Sequence, residues 1–188
     1  MFVRRIYSEA DLIKKCLGGD RKAQRALYEL YSGKFLAVCR RYVKDYGSAE
    51  DIMIEGFMKI FECLPQYQGS GSFEGWMRRI MVTQSLLYIR SNRRFQFEVQ
   101  LEEGEMDGYL EPEGGRLESE DLLKLIDELP LGYRMVFNLY AVEGYSHKEI
   151  RELLGISEST SKSQLSRARA ALRSRLLAEY EKEKNHGG

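Results

Sequence analysis

The stretch SHKEIRELLGISESTSKSQLSRARAALRSRL, Ser146 to Leu176, leaves little freedom in how it can fold. Ser146 can accept from the open amides of a first helical turn, and Glu149, three residues on, can reach back to the Ser146 amide to complete a capping box. Gly155 ends that helix, because a sharp stop needs the left-handed backbone that glycine tolerates. Ile156 follows as an apolar turn residue and Ser157 caps a second helix. Ile150, Leu154 and Ile156 make one apolar surface. Leu165, Ala168, Leu172 and Leu176, at helical spacing, make the surface that packs on it. The joint is a helix-turn-helix.

With those residues inward, the outer face of the second helix carries Ser159, Ser163, Ser166, Arg167 and Arg173, accompanied by Thr160 and with Lys162 at the margin. Glu158 to Leu177 holds five Lys/Arg against one Glu, a net +4. Short hydroxyls let a helix sit close to a DNA backbone or base edge, and the flanking cations pair with phosphates. A basic helix alone is an ordinary solvated face. Cap, glycine, apolar turn and second cap in that order make DNA binding the stronger reading.

Charge elsewhere bears on this, because the 188-residue chain is formally neutral. From Ser72 to Phe95 five arginines (Arg78, Arg79, Arg90, Arg93 and Arg94) meet one Glu, with Phe73 and Trp76 interleaved. Aromatic and basic side chains together suit single-stranded nucleic acid, the first stacking on bases and the second pairing with phosphates. Phe73 and Trp76 are equally good core residues at this stage. From Gln96 to Asp121 ten acidic residues meet one Arg, among five Gly and Pro residues and without helical periodicity. That segment reads as an exposed acidic linker, and its charge offsets the two basic surfaces.

The chain is long enough for one large or two small domains, and 43% hydrophobic residues suffice for buried cores. No apolar run approaches the roughly 20 residues of a membrane span, and MFVRRIYSEAD is too polar for a secretory signal, so a soluble cytoplasmic protein without membrane insertion is expected. Cys16, Cys39 and Cys63 are odd in number and sit in helical patterns, which suits reduced, buried or half-buried thiols. Two histidines make no metal cluster, and neither a phosphate-binding glycine loop nor a nucleophile with a histidine base is present. The expectation is a protein without metal, cofactor or enzymatic activity.

An all-α chain follows from the remaining periodicity. Ser8 with Asp11 opens a first helix that ends at Gly18 and Gly19, and Asp20 caps a second that runs to about Val43 with Ala23, Leu27, Leu30, Phe35, Val38, Cys39 and Tyr42 inward. Ser48 with Asp51 predicts the start of a third, with Met53, Phe57, Ile60, Phe61 and Leu64 inward and Glu50, Asp51, Glu55 and Lys59 outward. After the polar loop PQYQGSGS, Ser72 opens a fourth from Phe73 to about Arg94, its main stripe Phe73, Trp76, Met77, Ile80, Leu87 and Tyr88, its second stripe Val82, Leu86 and Ile89. Beyond the linker, Ser119 caps a helix with Leu122, Leu125, Ile126 and Leu129 inward, ended by Pro130. Leu131 to Val142 forms another with Val136, Phe137 and Tyr140 inward, and EYEKEKNHGG reads as a fraying tail.

With these residues in view, the chain resembles the extracytoplasmic-function group of bacterial RNA polymerase sigma factors over about residues 9 to 95 and 119 to 177. The likeness rests on AEDIMIEGFMKIF, FEGWMRRI, ELPLGYRMVFNLYAVEGYSHKEIRELLGIS and TSKSQLSRAR in this order. It implies two small helical domains: 1–95, which binds core polymerase and recognises and melts the minus-ten element; and 119–188, a helix-turn-helix domain that reads the minus-thirty-five element. The acidic linker 96–118 joins them. By the same resemblance Glu50, Asp51 and Glu55 contact core polymerase, Gln66 to Ser72 with Phe73, Trp76 and Thr83 lie near unpaired bases, and Lys162, Ser163 and Arg167 read DNA. The implied partners are bacterial RNA polymerase core, promoter DNA and an anti-sigma factor.

Four positions depart from the family pattern. Thr83 stands where Asn is usual and Leu87 where Asp is common; Arg151 replaces a small residue and Ser161 an aliphatic one. Arg151 can snorkel outward and Ser161 can bond back to a carbonyl, which would preserve the fold. The alternative function is a free-standing helix-turn-helix repressor or activator, whose N-terminal half would need a ligand pocket or a dimer stripe.

Overall fold

The computed structural model describes residues 8–91 and 124–186, with side chains of the last helix through residue 177. The described residues form helices and their connections without a strand, and the chain divides into two compact units, Met1–Ser91 and Asn92–Gly188. The predicted linker 96–118, with Arg93, Arg94, Ser119 and Leu122, lies outside the described residues.

The first unit contains α1 (Glu9–Leu17), α2 (Arg21–Tyr42), α3 (Tyr46–Cys63), a 3-10 turn (Leu64–Gln66) and α4 (Phe73–Ser91). The caps of the first two helices follow the sequence: Ser8 Oγ accepts from the Asp11 amide at 3.1 Å, and Asp20 Oδ1 from the Lys22 amide at 2.8 Å. The third starts earlier than expected. Asp45 is its cap, accepting the Ser48 amide at 2.8 Å, and that bond holds the Asp45 carboxyl below its ordinary pKa. Ser48, released from capping, accepts a hydrogen bond from Tyr88 Oη of α4 at 2.8 Å.

Helices α2, α3 and α4 pack on one another around Leu27, Phe35, Tyr42, Ile52, Ile60, Phe73, Met77 and Met81. Tyr31 replaces Leu30 in this core, because residues 27, 31, 35, 38 and 42 share one side of α2 while position 30 is turned roughly 100° away from its centre. Phe61 is only half-buried. Gly56 sits where α3 meets α4: a Cβ there would run into Met81 Sδ, so the glycine sets the approach of the two helices. On α4 the buried arc centres on Met81 and Ser85, neither in the expected stripes, and Ser85 Oγ satisfies itself on the Met81 carbonyl at 2.9 Å. Leu87 therefore points outward, 50% exposed. Burial pushes the thiols of Cys16 and Cys39 up to about 11, which leaves both protonated and unreactive at neutral pH.

The second unit contains a helical segment at 124–127, α5 (Leu131–Phe137), a π-helical turn (Asn138–Val142), α6 (His147–Leu154) and α7 (Glu158–His186). Leu125, Ile126 and Leu129 pack against Ala168 and Leu172 of α7, with Tyr133, Phe137 and Leu176 beside them. Two guanidiniums close the end of the 124–127 segment: Arg134 Nη1 donates to the Asp127 carbonyl at 2.9 Å, and Arg175 Nη1 to the Leu125 carbonyl at 3.4 Å. They supply donors to carbonyls that a helix end leaves open.

The expected single helix from Leu131 to Val142 is interrupted. The Glu143 amide reaches the Asn138 carbonyl at 2.9 Å, five residues back, and the wider turn shifts the helical phase of the residues within and beyond it. Leu139 faces the core and Tyr140, expected inward, is part-exposed. The expected fraying tail is instead helical as far as His186.

Candidate nucleic-acid interfaces

In the second unit the backbone of 146–160 is as the sequence dictates. Ser146 Oγ accepts from the Glu149 amide at 3.3 Å while Glu149 Oε2 accepts from the Ser146 amide at 2.9 Å, and Gly155 closes α6 at φ 70°. Ser157 Oγ accepts the Thr160 amide at 2.9 Å. It also bonds the hydroxyls of Ser159, at 2.7 Å, and Thr160, at 2.8 Å. The start of α7 is thus a hydroxyl cluster held in one arrangement by its own hydrogen bonds.

Along α7, Ser159 and Lys162 are exposed, and Thr160, Ser163, Ser166, Arg167 and Arg173 are half-buried. Leu165, Ala168 and Leu172 face inward as expected, while Ala168, Leu172 and Leu176 pack with Leu125, Ile126 and Leu129, a partner surface that the sequence did not assign to them. Arg169 is also exposed and adds a cation that the sequence reading left off this face. Its guanidinium lies over the Tyr140 ring at 5.8 Å, and that ring stacks on His147 at 4.6 Å and 22°. Tyr140 lies within the π turn, at the flank of the face that buries Met135, Val136 and Leu139.

Ser161 is fully buried and bonds His147 Nδ1 across the joint at 2.9 Å, rather than a carbonyl of its own helix. The polar residue at an inward position is a tie between α6 and α7. Burial, then the nearby Lys162, holds the His147 imidazole below its ordinary pKa. Arg151 does point outward, with Glu158 and Glu152 each at 3.8 Å.

In the first unit, Glu50, Asp51 and Glu55 are exposed on α3 as expected. The sequence reading missed what lies among them: Ile54 is 46% and Met58 68% exposed. An apolar strip bordered by carboxylates is the composition of a protein-binding surface more than of a solvated one.

The loop after α3 turns through Gly69 at φ 73° and Gly71 at φ 83° and is folded over by Tyr67, whose hydroxyl donates to the Gly71 carbonyl at 3.2 Å. The Tyr67 ring packs on Phe73 at 5.1 Å and Trp76 at 5.2 Å. Phe73, expected near unpaired bases, is 1% exposed: it belongs to the core and acts by holding Tyr67 and Trp76 in place. Trp76 is half-buried. Glu74, the acid of α4, is tied to Lys34 of α2 at 2.9 Å. Arg79, Thr83 and Arg90 are exposed on α4 and Arg78 is half-buried.

Among the described residues no group of His, Cys, Asp or Glu is arranged to hold a metal ion, and no helix is long and apolar enough to cross a membrane.

Residues 27–95 match the sigma-70 region 2 family and residues 119–172 the sigma-70 region 4 family, and together these spans take in well over half of the chain. Over 174 residues the chain is 29% identical to the ECF RNA polymerase sigma-E factor of Escherichia coli strain K12, covering 86% of this chain and 90% of that one. It is 28% identical over 176 residues to the RNA polymerase sigma-H factor of Pseudomonas aeruginosa, covering 87% and 91%. Among solved structures, the sigma factor RpoE from Bartonella quintana, in complex with the anti-sigma factor NepR, shares the fold at a TM-score of 0.51 and 22% identity, covering 81% of this chain and 96% of that one.

Proposed function

Because the chain belongs to the sigma-70 family, as an RNA polymerase sigma factor of the extracytoplasmic-function group, we propose that its two units divide the work of promoter recognition along the faces just described. The factor carries no chemistry of its own; it brings core polymerase to a restricted set of promoters, in the cytoplasm. The exposed face of α3, with Glu50, Asp51 and Glu55 around Ile54 and Met58, docks on core. Tyr67, Trp76 and the outward side of α4, with Arg78, Arg79, Thr83 and Arg90, meet the separated strand of the minus-ten element.

The second unit reads the minus-thirty-five element with α7. Ser159, Thr160 and Lys162 sit at its start and hold the backbone. Ser163, Ser166, Arg167 and Arg173 lie along the face that enters the groove, and Arg167, half-buried on it, is the residue assigned a bidentate contact to guanine. The observation that carries the reading is the complete cap, left-handed glycine and second cap at 146–160 in front of a basic helix. An anti-sigma factor, which would cover such faces in the uninduced cell, belongs to the same reading.

The test is run-off transcription from genomic fragments with purified core polymerase. The chain should make core start at a small number of defined positions. Binding to DNA without core, with no defined starts, would favour a free-standing regulator instead.

A further inference from the structure

Arg79, Thr83, Leu87 and Arg90 are spaced four, four and three residues apart, so they share one stripe of α4, and all four are exposed. Leu87, 50% exposed, is the large apolar side chain of that stripe. The fold does not need it there: α4 already anchors itself through Phe73, Met77, Met81, Val82, Leu86 and Ile89. Thr83 Oγ1 donates to the Arg79 carbonyl at 2.8 Å, so its proton is committed and its γ-methyl is the apolar group that the side chain has left to offer. One helical turn separates the two residues, about 5 to 6 Å between Cβ atoms, so a single methyl can rest across both apolar groups at once. Arginines bracket the pair on the same stripe, and the carboxylate of Glu74 is engaged with Lys34, so the surroundings are cationic.

We propose that Thr83 and Leu87 form an apolar step that selects thymine in the promoter strand by its 5-methyl group, with Arg79 and Arg90 on the phosphates to either side. The inference rests on the assignment of α4 to nucleic acid made above. Charge complementarity identifies the occupant: an apolar protein side chain would not require a flanking guanidinium on each side, whereas a base on a phosphate chain does. Thymine is the DNA base that carries a methyl at this position, so an apolar step favours it over a base that lacks the methyl. Selectivity here comes from burial of one methyl rather than from hydrogen bonding, and is correspondingly modest.

The test uses the full chain bound to core polymerase and two labelled single strands, a short oligothymidylate and its oligodeoxyuridylate counterpart, which differ by the methyl alone. The complex should prefer thymidylate by about fourfold for each methyl seated. Leu87→Ala should bring the ratio close to one, Leu87→Met should keep it, and Thr83→Ser should lower it while Thr83→Val preserves it. If the complex binds both strands more tightly than core alone but without preference, or if the preference survives Leu87→Ala, the methyl contact is wrong while the placement of α4 stands. If the chain adds nothing to what core binds by itself, the placement of α4 at nucleic acid fails and the inference falls with it. Loss of core association in Leu87→Ala would make the stripe a protein contact and overturn the proposal.

Discussion

The two units solve the same problem, holding one helix face toward a partner, with different materials. The first buries large side chains, Phe35, Tyr42, Phe73, Met77 and Met81 among them, and its three long helices lock through close contacts such as Gly56 against Met81. Its functional faces are what packing leaves over. The second buries smaller side chains for the most part, Leu125, Ile126, Leu129, Val136, Leu139, Ile150, Leu165, Ala168 and Leu172 among them, and adds polar devices: a capping box, a left-handed glycine, two guanidiniums on one helix end, a π turn and the Ser161–His147 tie. Packing makes the first unit tolerant of polar change and intolerant of cavities. In the second unit single hydrogen bonds set where the recognition helix points.

The contrast is broken most easily at its apolar end. Phe35→Ala should cost about 3 to 5 kcal/mol in the first unit, because the surrounding helices cannot collapse onto the space. Hydrogen exchange should show lost protection in α2 to α4 and none in α6 and α7; loss in both units would mean that they fold as one.

At the DNA end, Arg167→Ala should cost about 1 to 3 kcal/mol on the preferred minus-thirty-five sequence, and the loss should depend on that sequence. Lys162→Ala should weaken all sequences alike and lower the salt slope by about one unit. Equal losses on specific and random DNA for Arg167 would make it a phosphate contact.

The polar devices act at smaller scale. Ser146→Ala should cost about 1 kcal/mol by opening the capping box, whereas Ser48→Ala should leave the start of α3 formed, since Asp45 still accepts the residue-48 amide, and should loosen the Tyr88 contact and the side-chain bond to Asp45. A frayed α3 start in Ser48→Ala, read by exchange at its first amides, would restore Ser48 as the cap.

The weakest lever is pH. His147 titrates below its ordinary value in the folded chain, so the unfolded chain binds the proton more readily. Its contribution to stability is present above the ordinary imidazole pKa of about 6.5 and is lost as pH falls through the lower folded value. Protection of α6 and α7 should fall over that window, and His147→Gln should flatten the dependence. An unchanged profile would mean that burial of His147 does not couple its proton to folding.

What could be read from the chain divides along the same line. Local chemistry was legible: the caps at Ser8, Asp20, Ser146 and Ser157, the stop at Gly155 and the inward stripe of α7 all stand where spacing put them. Features set by contact between helices were not. Nothing local separates Ser48 from Asp45 as a cap; the choice turns on Tyr88, 40 residues away. The π turn at Asn138–Val142 was not legible, since a fixed helical period cannot register an added residue, and Tyr140 within it stacks on His147 instead of entering the core. Phe73 read equally well as a stacking ring or a core ring, and burial decided for the core. The exposed pair Ile54 and Met58 was visible in the sequence, but among inward residues of the same type it carried no distinguishing mark.

The division of labour is tested most directly by one pair of variants in one pair of assays. Asp51→Lys with Glu55→Lys, and separately Arg167→Ala, would each be measured for affinity to core polymerase and, as holoenzyme saturated with factor, for discrimination between the preferred and a scrambled minus-thirty-five element. The α3 variant should lose core affinity and keep discrimination once saturated; the α7 variant should keep core affinity and lose discrimination. If either variant loses both, or the α3 variant holds core as tightly as its parent, the faces assigned to the two units are wrong.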